Sequence, residues 1–318
     1  MGAINWDTTL FADRLGGQGE EVPIKKAEEG PGGKGTNAAV AGARILGEGK
    51  VAFIGALGDD DLGTKLRESL KAEGVLDGGL VIHRGVGSGR AYVLVDRRGR
   101  KSIHTLFGAN DALRPVDLNS EGASAPLFSS QLLVIMDVPP ETAVTAARKV
   151  KKGAQVVYSP GVRSASGFRG LGEILRLSDE VVLNTSELLQ LCATRDVETA
   201  VRRLWKSFPN LTVVTTLGSS GCVVSRGAST TRVPGVNLRK LGLRAVNTTG
   251  SGDAFLAAYA CYTMKGLKPQ DAAAWGNLAG ALKATSAETR GSPNREQLES
   301  AMKRLKQPQR APTGLAME

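Results

Sequence analysis

The chain has 318 residues, of which 41% are apolar, and it carries a formal net charge of +10. This length can bury a full core as one large domain or as a domain with a lid, and no apolar run approaches the ~20 residues that span a bilayer. The basic residues are dispersed and only 4% of the chain is aromatic, so we expect no base-stacking platform and no nucleic-acid partner. A positive balance also attracts an anionic small-molecule substrate.

The cysteines Cys192, Cys222 and Cys261 are few, odd in number and widely spaced. They fit neither a disulfide framework nor a metal cage. The N-terminus has acidic residues where a secretory signal would be basic and then apolar. Together these features predict a protein of the reducing cytoplasm.

Short apolar runs alternate with helical stretches along most of the chain. The strand-like runs are 51–56, 132–136, 155–158, 180–183 and 211–215. This rhythm predicts an α/β fold with a mostly parallel central sheet and ligands at the carboxyl ends of its strands. Two segments break the rhythm, about 8–30 and 88–107, and we predict that they form a small β lid. Residues 306–318 are predicted to be a disordered tail, which leaves a domain of residues 1–305.

The segment 30–37 reads Gly-Pro-Gly-Gly-Lys-Gly-Thr-Asn and precedes a helical run of small residues. Paired glycines let a backbone approach a ligand closely, and Lys34 and Asn37 add hydrogen-bond donors. The segment is not a Walker A loop, because Glu28 stands where that motif has glycine and no Ser or Thr follows Lys34. A ligand-binding loop is therefore predicted, with a solvated loop lysine as the simpler interpretation of Lys34.

The segment 247–255 reads Asn-Thr-Thr-Gly-Ser-Gly-Asp-Ala-Phe and opens an apolar helical run. Its turn, Gly250-Ser251-Gly252, lies at a helix N-terminus, where free N–H groups and the helix dipole favour an anion. A phosphate held there would lie beside Asp253, a base for the proton of an attacking hydroxyl. This is the minimal equipment for phosphoryl transfer to an alcohol. The alternative is a glycine-rich turn with an ordinary first-turn aspartate.

In this order, the two segments resemble those of the ribokinase-like (PfkB-type) carbohydrate kinases. Smaller segments agree with that family: 2–7 is similar to its opening turn, and 54–63, 184–187 and 216–221 to later turns. Gly108-Ala109-Asn110 resembles the segment after the lid strands of ribokinases proper. The resemblance covers residues 2 to about 300. It implies a three-layer sandwich with a mostly parallel central sheet, and a β lid that also pairs two copies into a homodimer.

The resemblance also implies the roles of individual residues. The sugar-binding residues would be Asn5, Asp7, Gly33, Lys34, Asn37 and Asp137. The nucleotide-binding residues would be Asn184, Glu187, Thr216, Gly218, Gly221 and Asn277, with Asn184 and Glu187 acting on Mg²⁺ through water. Asp253 would be the general base, and the N–H groups of Gly250, Ser251 and Gly252 would stabilise the transferring phosphoryl group. Simpler interpretations stay open: a turn aspartate for Asp7, a capping box for Asn184 and Glu187, and helix packing for Asn277.

The activity implied by the resemblance is ATP-dependent transfer to a primary hydroxyl of a small sugar. Lys34 and Asn37, with Asn5 and Asp7, favour a polyhydroxylated acceptor, and the segment 108–110 favours D-ribose, which would give ribose 5-phosphate. The alternatives are fructose, 2-keto-3-deoxygluconate, inositol or a nucleoside (adenosine, guanosine, inosine or cytidine). A sugar-binding protein without catalysis is a further alternative.

The chain departs from the family pattern in three places. Ribokinases usually have aspartate where this chain has Asn247, so Asn247 and Thr249 form an incomplete K⁺ site and we predict weak or no K⁺ dependence. The segment 287–293 stands where the family usually has a Gly-Ala pair. Family members usually also have a β-strand before the opening turn. We therefore expect either a start upstream of Met1 or a fold that is open at that place.

Overall fold

The computed structural model describes residues 1–307, which form twelve strands and eleven α-helices. The strands are β1 (Asn5–Ala12), β2 (Ile24–Gly32), β3 (Ala52–Gly58), β4 (Leu76–His83), β5 (Gly89–Asp96), β6 (Lys101–Leu106), β7 (Leu132–Met136), β8 (Gln155–Ser159), β9 (Glu180–Asn184), β10 (Thr212–Thr216), β11 (Gly221–Arg226) and β12 (Ser229–Pro234). The helices are α1 (Lys34–Leu46), α2 (Asp61–Lys71), α3 (Ala109–Ala112), α4 (Glu121–Ser129), α5 (Pro140–Lys149), α6 (Gly167–Leu177), α7 (Thr185–Leu191), α8 (Val197–Ser207), α9 (Ser251–Met264), α10 (Pro269–Lys283) and α11 (Arg295–Lys306).

The central sheet has six strands in the order β12-β11-β10-β9-β8-β7. Strands β7 to β10 are parallel, and β11 and β12 extend the sheet in antiparallel pairing. The parallel strands are rich in Val, Ile and Leu because helices cover both of their faces. The predicted mostly parallel α/β sheet is confirmed, and the strand bounds differ from the predicted ones by at most two residues.

Two apolar clusters lie on opposite faces of this sheet and make the fold a three-layer sandwich. Successive residues of a strand point to opposite faces. Along β7, Leu133 and Ile135 therefore join the cluster beneath α4 to α8, whereas Met136 joins the cluster beneath α1, α9, α10 and α11. Helix α9 is buried on nearly all sides, because its many alanines let α1 and α10 pack closely against it.

The sheet is interrupted between β3 and β7, where residues 1–3 connect the two strands. The Gly2 N–H donates to Ile54 O of β3 at 3.1 Å. The Met1 ammonium donates to Val134 O of β7 at 2.8 Å, and burial lowers the pKa of this ammonium to about 5. A mostly apolar cavity of about 540 Å³ continues between the edges of the two strands. A gap thus separates the edges of β3 and β7, and both predicted explanations, a start upstream of Met1 and an open fold, stay predictions.

A second sheet, in the order β2-β1-β5-β6, is the predicted lid. Its β5–β6 hairpin turns at residues 97–100, where Gly99 has a φ of 76° and Asp96 accepts two backbone N–H groups. The lid begins earlier than predicted. Asn5 and Asp7 were expected in a turn but lie in β1, because this strand pairs with β2 on one side and with β5 on the other.

The end of the chain also differs from the prediction. Helix α11 extends to Lys306, so the predicted tail of residues 306–318 starts too early. Residues 308–318 lie outside the described part of the chain, and the prediction for them remains as stated. Within residues 1–307, no helix is long and apolar enough to cross a membrane.

Candidate active site

The predicted motifs meet in one cleft of about 520 Å³, between the lid and the carboxyl ends of the central strands. The predicted residues that line it are Asn5, Asp7, Gly33, Lys34, Asn37, Asp137, Asn184, Glu187, Thr216, Thr249, Gly250, Gly252 and Asp253. The predicted residues that do not line it are Gly218, Gly221, Asn247, Ser251 and Asn277. Residues far apart in sequence come together because each segment follows a strand or opens a helix at the same edge of the sheet.

Asp253 lies in the first turn of α9 and is only 8% exposed. Its Oδ2 accepts a hydrogen bond from Asn37 Nδ2 at 2.8 Å, which joins the two glycine-rich segments. Burial raises the pKa of Asp253 to about 6, although the Asn37 hydrogen bond and the charge of Lys34 favour the anion. Such a carboxylate is largely ionised at pH 7 and retains the basicity to accept a proton from a hydroxyl.

The turn before this carboxylate is shaped by two glycines. Gly250 has a φ of 82°, and a Cβ added there would lie 2.4 Å from Thr289 O. At Gly252 an added Cβ would meet no atom within 4 Å, so the backbone is open to a ligand. The prediction for Ser251 needs correction, because its N–H donates to Thr248 O at 3.2 Å and closes the turn. The N–H groups of Gly250 and Gly252 remain the candidates for binding an anion.

Lys34 opens α1 directly after Gly33, whose φ of 93° and close approach to the residue 3 carbonyl require glycine. The Lys34 Nζ lies 3.5 Å from Asp137 Oδ2 and 3.4 Å from Glu187 Oε1. Burial opposes the charge of Lys34, but these carboxylates and that of Asp253 raise its pKa overall. Lys34 therefore links the carboxylates of the cleft, which a solvated loop lysine would not do.

Asp137 follows β7 in a left-handed conformation, with a φ of 52°. Its Oδ1 accepts the N–H of Val162 at 2.9 Å, which leaves Oδ2 towards Lys34. A positive φ is uncommon for a residue other than glycine, and strained positions of this kind cluster at functional sites. The strain supports the sequence-based choice of this aspartate.

The start of β1 is held by Asn110, which the sequence singled out only through the Gly-Ala-Asn resemblance. Asn110 Oδ1 accepts the Ile4 N–H at 2.8 Å, and its Nδ2 donates to Ile4 O at 2.9 Å and to Asn5 Oδ1 at 3.0 Å.

Asp7 shares the cleft-facing side of β1 with Asn5. Its Oδ1 is buried and has no hydrogen-bond partner among the described residues. Burial raises the pKa of Asp7 to about 7, against the attraction of a nearby arginine.

That arginine is Arg290, which sequence analysis did not place in the site. Its Nε lies 3.4 Å from Asn37 Oδ1, and its Nη2 lies 3.3 Å from Gly32 O. Burial lowers the pKa of Arg290 to about 10, against the attraction of Asp7, so the guanidinium stays charged at neutral pH. Because Arg290 binds the amide oxygen of Asn37, the amide nitrogen faces Asp253. In the sequence, the only feature that pointed to this arginine was the departure of the segment 287–293 from the family pattern.

Asn184 and Glu187 form the capping box that the simpler interpretation predicts. The Glu187 N–H donates to Asn184 Oδ1 at 2.9 Å, and the Asn184 N–H donates to Glu187 Oε2 at 3.0 Å. The remaining Glu187 oxygen, Oε1, lies beside Lys34. Residues 1–307 contain no group of three His, Cys, Asp or Glu side chains that could hold a metal ion. Asn184 and Glu187 carry oxygen atoms of the kind that accept hydrogen bonds from the water shell of Mg²⁺, and their action on Mg²⁺ through water stays a prediction.

The remaining residues predicted to bind the nucleotide lie at the end of β10 and beside β11 and β12. Thr216 lines the cleft, and Gly218 opens the following turn with a φ of 60°. Gly221 lies against β12, where an added Cβ would approach Val233 O to 2.2 Å. Asn277 of α10 donates to the same carbonyl at 3.3 Å, which is the packing role of the alternative interpretation. A contact of Asn277 with adenine stays a prediction.

Two lysines bind the loop 247–249, which leads into the anion-binding turn. Lys101 of the lid donates to Asn247 Oδ1 at 3.4 Å and to Thr249 Oγ1. Lys283, fully buried at the end of α10, donates to Asn247 O at 2.9 Å. Burial lowers the pKa of Lys283 to about 8. The side-chain oxygens predicted to bind K⁺ thus accept hydrogen bonds from Lys101, and weak or no K⁺ dependence stays a prediction.

A buried carboxylate at a helix N-terminus, a glycine turn open to an anion and a polar cleft beneath a lid define a phosphotransferase that acts on an alcohol group. Residues 1–296 match the pfkB family of carbohydrate kinases. The chain belongs to this family, and its acceptor is therefore a sugar hydroxyl.

Several known proteins are similar to the chain over most of its length. It is 30% identical to the ATP-dependent ribose-1-phosphate kinase of Halopiger xanaduensis, over 92% of this chain and 93% of that protein. It is 27% identical to the ribokinase of Haemophilus influenzae, over 93% and 95%. The structure of Arabidopsis thaliana ribokinase complexed with ribose and ATP has a TM-score of 0.80 at 25% identity, over 96% of this chain and 97% of that chain. These similarities confirm the ribokinase-like fold.

Proposed function

We propose that this carbohydrate kinase transfers the γ-phosphoryl group of ATP to the primary hydroxyl of D-ribose, giving ribose 5-phosphate. The observation that carries the proposal is that one cleft holds both kinds of group that the reaction needs. Asn5, Asp7 and Asp137 supply hydrogen-bond acceptors for sugar hydroxyls. Asp253 and the glycine turn supply a base and an anion site in the same cleft. Among the described residues, the buried Oδ1 of Asp7 has no hydrogen-bond donor, and a substrate hydroxyl can supply one.

Two further observations favour ribose among the possible sugars. Asn110, from the segment that resembles ribokinases proper, fixes the position of Asn5. The similar proteins include one named ribokinase and a ribokinase structure with ribose and ATP. Fructokinase-1 of Oryza sativa is 32% identical over 72% of this chain, so fructose belongs in the same comparison. Nucleosides, 2-keto-3-deoxygluconate and inositol are the remaining acceptors to compare.

Ribose 1-phosphate is a second candidate, because the relative that is 30% identical bears that name. A phosphate on the sugar would need a free cation near Asp7 and Asp137. Arg290 attracts Asp7 and Lys34 lies beside Asp137, but Arg290 already binds Asn37 and Gly32, and Lys34 already contacts Asp137 and Glu187. Asp137 would also repel a phosphate, so these contacts favour an uncharged sugar.

In the proposed reaction, the sugar-side residues orient the acceptor so that its primary hydroxyl faces Asp253. Asp253 accepts the hydroxyl proton while the oxygen bonds to the γ-phosphorus and the bond from that phosphorus to ADP breaks. General-base catalysis of this kind contributes about 10²–10⁴-fold in rate. The N–H groups of Gly250 and Gly252 stabilise the charge on the transferring phosphoryl oxygens, because they are fixed before the reaction begins.

The nucleotide side follows from the same arrangement. Thr216, Gly218 and Gly221 would border ATP, and Asn277 would lie near its adenine. Asn184 and Glu187 would hold Mg²⁺ through water molecules. When bound, Mg²⁺ neutralises charge on the β- and γ-phosphates.

The test is ADP release with Mg-ATP across ribose, ribose 1-phosphate, fructose, 2-keto-3-deoxygluconate, inositol and nucleosides. Asp253→Asn is the catalytic control, and Asp271→Asn is its matched partner, because Asp271 occupies the corresponding position in the first turn of α10 but is exposed. We expect the highest kcat/KM with ribose, lost in Asp253→Asn and kept in Asp271→Asn. A higher kcat/KM with ribose 1-phosphate or with a nucleoside would overturn the choice of ribose.

We also propose that two copies pair through the outer face of the lid and that the enzyme works in the cytoplasm. Tyr92 and Leu106 point away from the cleft and are 39% and 60% exposed. Leu106→Glu should therefore convert a dimer into a monomer in light scattering, and a wild-type monomer would refute the pairing. The three cysteines are free and buried, as suits a reducing compartment.

A further inference from the structure

Lys283 is fully buried at the end of α10, and its ammonium lies beside the loop that leads into the turn 250–252. It donates to Asn247 O at 2.9 Å. Its Cε lies 3.5 Å from the position that a Cβ on Gly250 would take. Burying a charged group costs free energy that only hydrogen bonds and nearby opposite charges offset. Here the charge lies directly behind the turn.

A second ammonium, from the lid, binds the same loop. Lys101 of the lid strand β6 donates to Asn247 Oδ1 at 3.4 Å and to Thr249 Oγ1. The Thr249 N–H in turn donates to Asn247 Oδ1 at 2.9 Å. The backbone and side-chain oxygens of residues 247–249 thus face two fixed positive charges. An ammonium group donates up to three hydrogen bonds, and it can occupy the place of a monovalent cation among oxygen atoms.

We propose that Lys283 is a built-in cation that positions the turn 250–252, in the place where the family resemblance implies a K⁺ site. Lys283 is a positioning residue, because it acts through Asn247 and Gly250 and lines no part of the cleft. The inference rests on the proposed phosphoryl transfer. It explains why the chain has asparagine at position 247: an uncharged side chain is sufficient where the cation is covalently attached.

The first test needs no variant. The wild-type enzyme should have the same kcat and KM in Na⁺, in K⁺ and in a large organic cation such as tetramethylammonium. A several-fold higher kcat in K⁺ would overturn the inference, since it would mean that a free cation is still required.

The second test removes the ammonium and returns it from solution. Lys283→Ala removes three carbons and the nitrogen of the side chain, and n-propylammonium has the same atoms. We expect kcat of this variant to fall about 100-fold. Addition of n-propylammonium or K⁺ should then raise kcat at least tenfold, with saturation. Lys283→Met fills the same space without a charge, so its kcat should fall equally and show no rescue. Lys303→Ala on the exposed face of α11 is the control for loss of a lysine and should behave as wild type. A kcat of Lys283→Met within threefold of wild type would overturn the inference.

A binding measurement separates this inference from the proposed function. Calorimetry compares the affinity for a non-hydrolysable ATP analogue with that for adenosine, which has no phosphate. Lys283→Met should weaken binding of the analogue at least tenfold and leave adenosine binding unchanged. If no sugar is a substrate but this difference appears, the inference stands and the proposed function fails. If ribose is phosphorylated and the two affinities change equally, the inference fails alone.

Discussion

Asp253→Asn should abolish phosphoryl transfer and, at the same time, stabilise the fold at neutral pH. Burial raises the pKa of Asp253 from 3.8 to about 6 in the folded protein. Each pKa unit corresponds to about 1.4 kcal/mol, so keeping this carboxylate ionised reduces the free energy of unfolding by about 3 kcal/mol above pH 7. Asparagine keeps an oxygen that accepts the hydrogen bond from Asn37 and carries no charge. The variant is therefore expected to gain most of this free energy.

The sign of the pH dependence follows from which state binds the proton more tightly. Between about pH 4 and pH 6 the folded protein holds a proton on Asp253 that the unfolded chain has released. Wild type therefore loses stability relative to the variant as the pH rises through this window. Below pH 4 both states are protonated, so this contribution of Asp253 vanishes.

The assay is urea denaturation of wild type and Asp253→Asn at several values from pH 4 to pH 8, without nucleotide or Mg²⁺. Asp271→Asn is the matched control, because its exposed side chain should leave the free energy of unfolding nearly unchanged. The difference between Asp253→Asn and wild type should grow with pH and reach a plateau above pH 7. A difference that is constant from pH 4 to pH 8, or a variant less stable than wild type at pH 8, would refute the reasoning.

Three further predictions follow from other parts of the structure. Gly252→Ala should keep the melting temperature, because its methyl group meets no atom within 4 Å, yet lower kcat about 100-fold by filling the anion space. Gly250→Ala should lower both the melting temperature and kcat, because Gly250 has a φ of 82° and an added Cβ would lie too close to Thr289 O. Thermal melts and initial rates distinguish the two variants. The value of kcat/KM should rise with pH up to about 6 and then level off as Asp253 ionises, and a profile that falls over this range would contradict its role as a base. An N-terminal extension of five apolar residues should raise the melting temperature by pairing with the open edges of β3 and β7. The same extension with proline at its centre should not raise it, because proline has no N–H to donate. Equal melting temperatures for the two extended proteins would contradict this explanation.

The glycine-rich segments could be read from the sequence because their chemistry is local. A helix N-terminus after Gly250 and a strained turn at Gly33 follow from which residue types tolerate a positive φ. The parallel sheet was equally accessible, since buried strands appear as short apolar runs. The contact between Asn37 and Asp253 was not, because it joins residues 216 positions apart.

The residues that sequence analysis missed have long side chains that act at a distance from their own segments. Arg290 extends from a loop to Asn37, and Lys283 from a helix end to Asn247. In the sequence both resemble ordinary surface cations, and only burial distinguishes them. The assignment of Asn5 to a turn failed for a related reason: a strand that pairs on both edges depends on partners elsewhere in the chain.

One hydrogen-bonded sheet, the lid, carries both cleft residues of β1 and the lysine that binds the loop 247–249. Strand β1 carries Asn5 and Asp7, and β6, in the same hydrogen-bonded sheet, carries Lys101. The Lys101 ammonium already donates to Asn247 Oδ1 and Thr249 Oγ1, so any displacement of this sheet that moves Asn5 and Asp7 also pulls on the loop 247–249. One rigid element thus fixes the spacing between β1 and the loop that leads to Gly250.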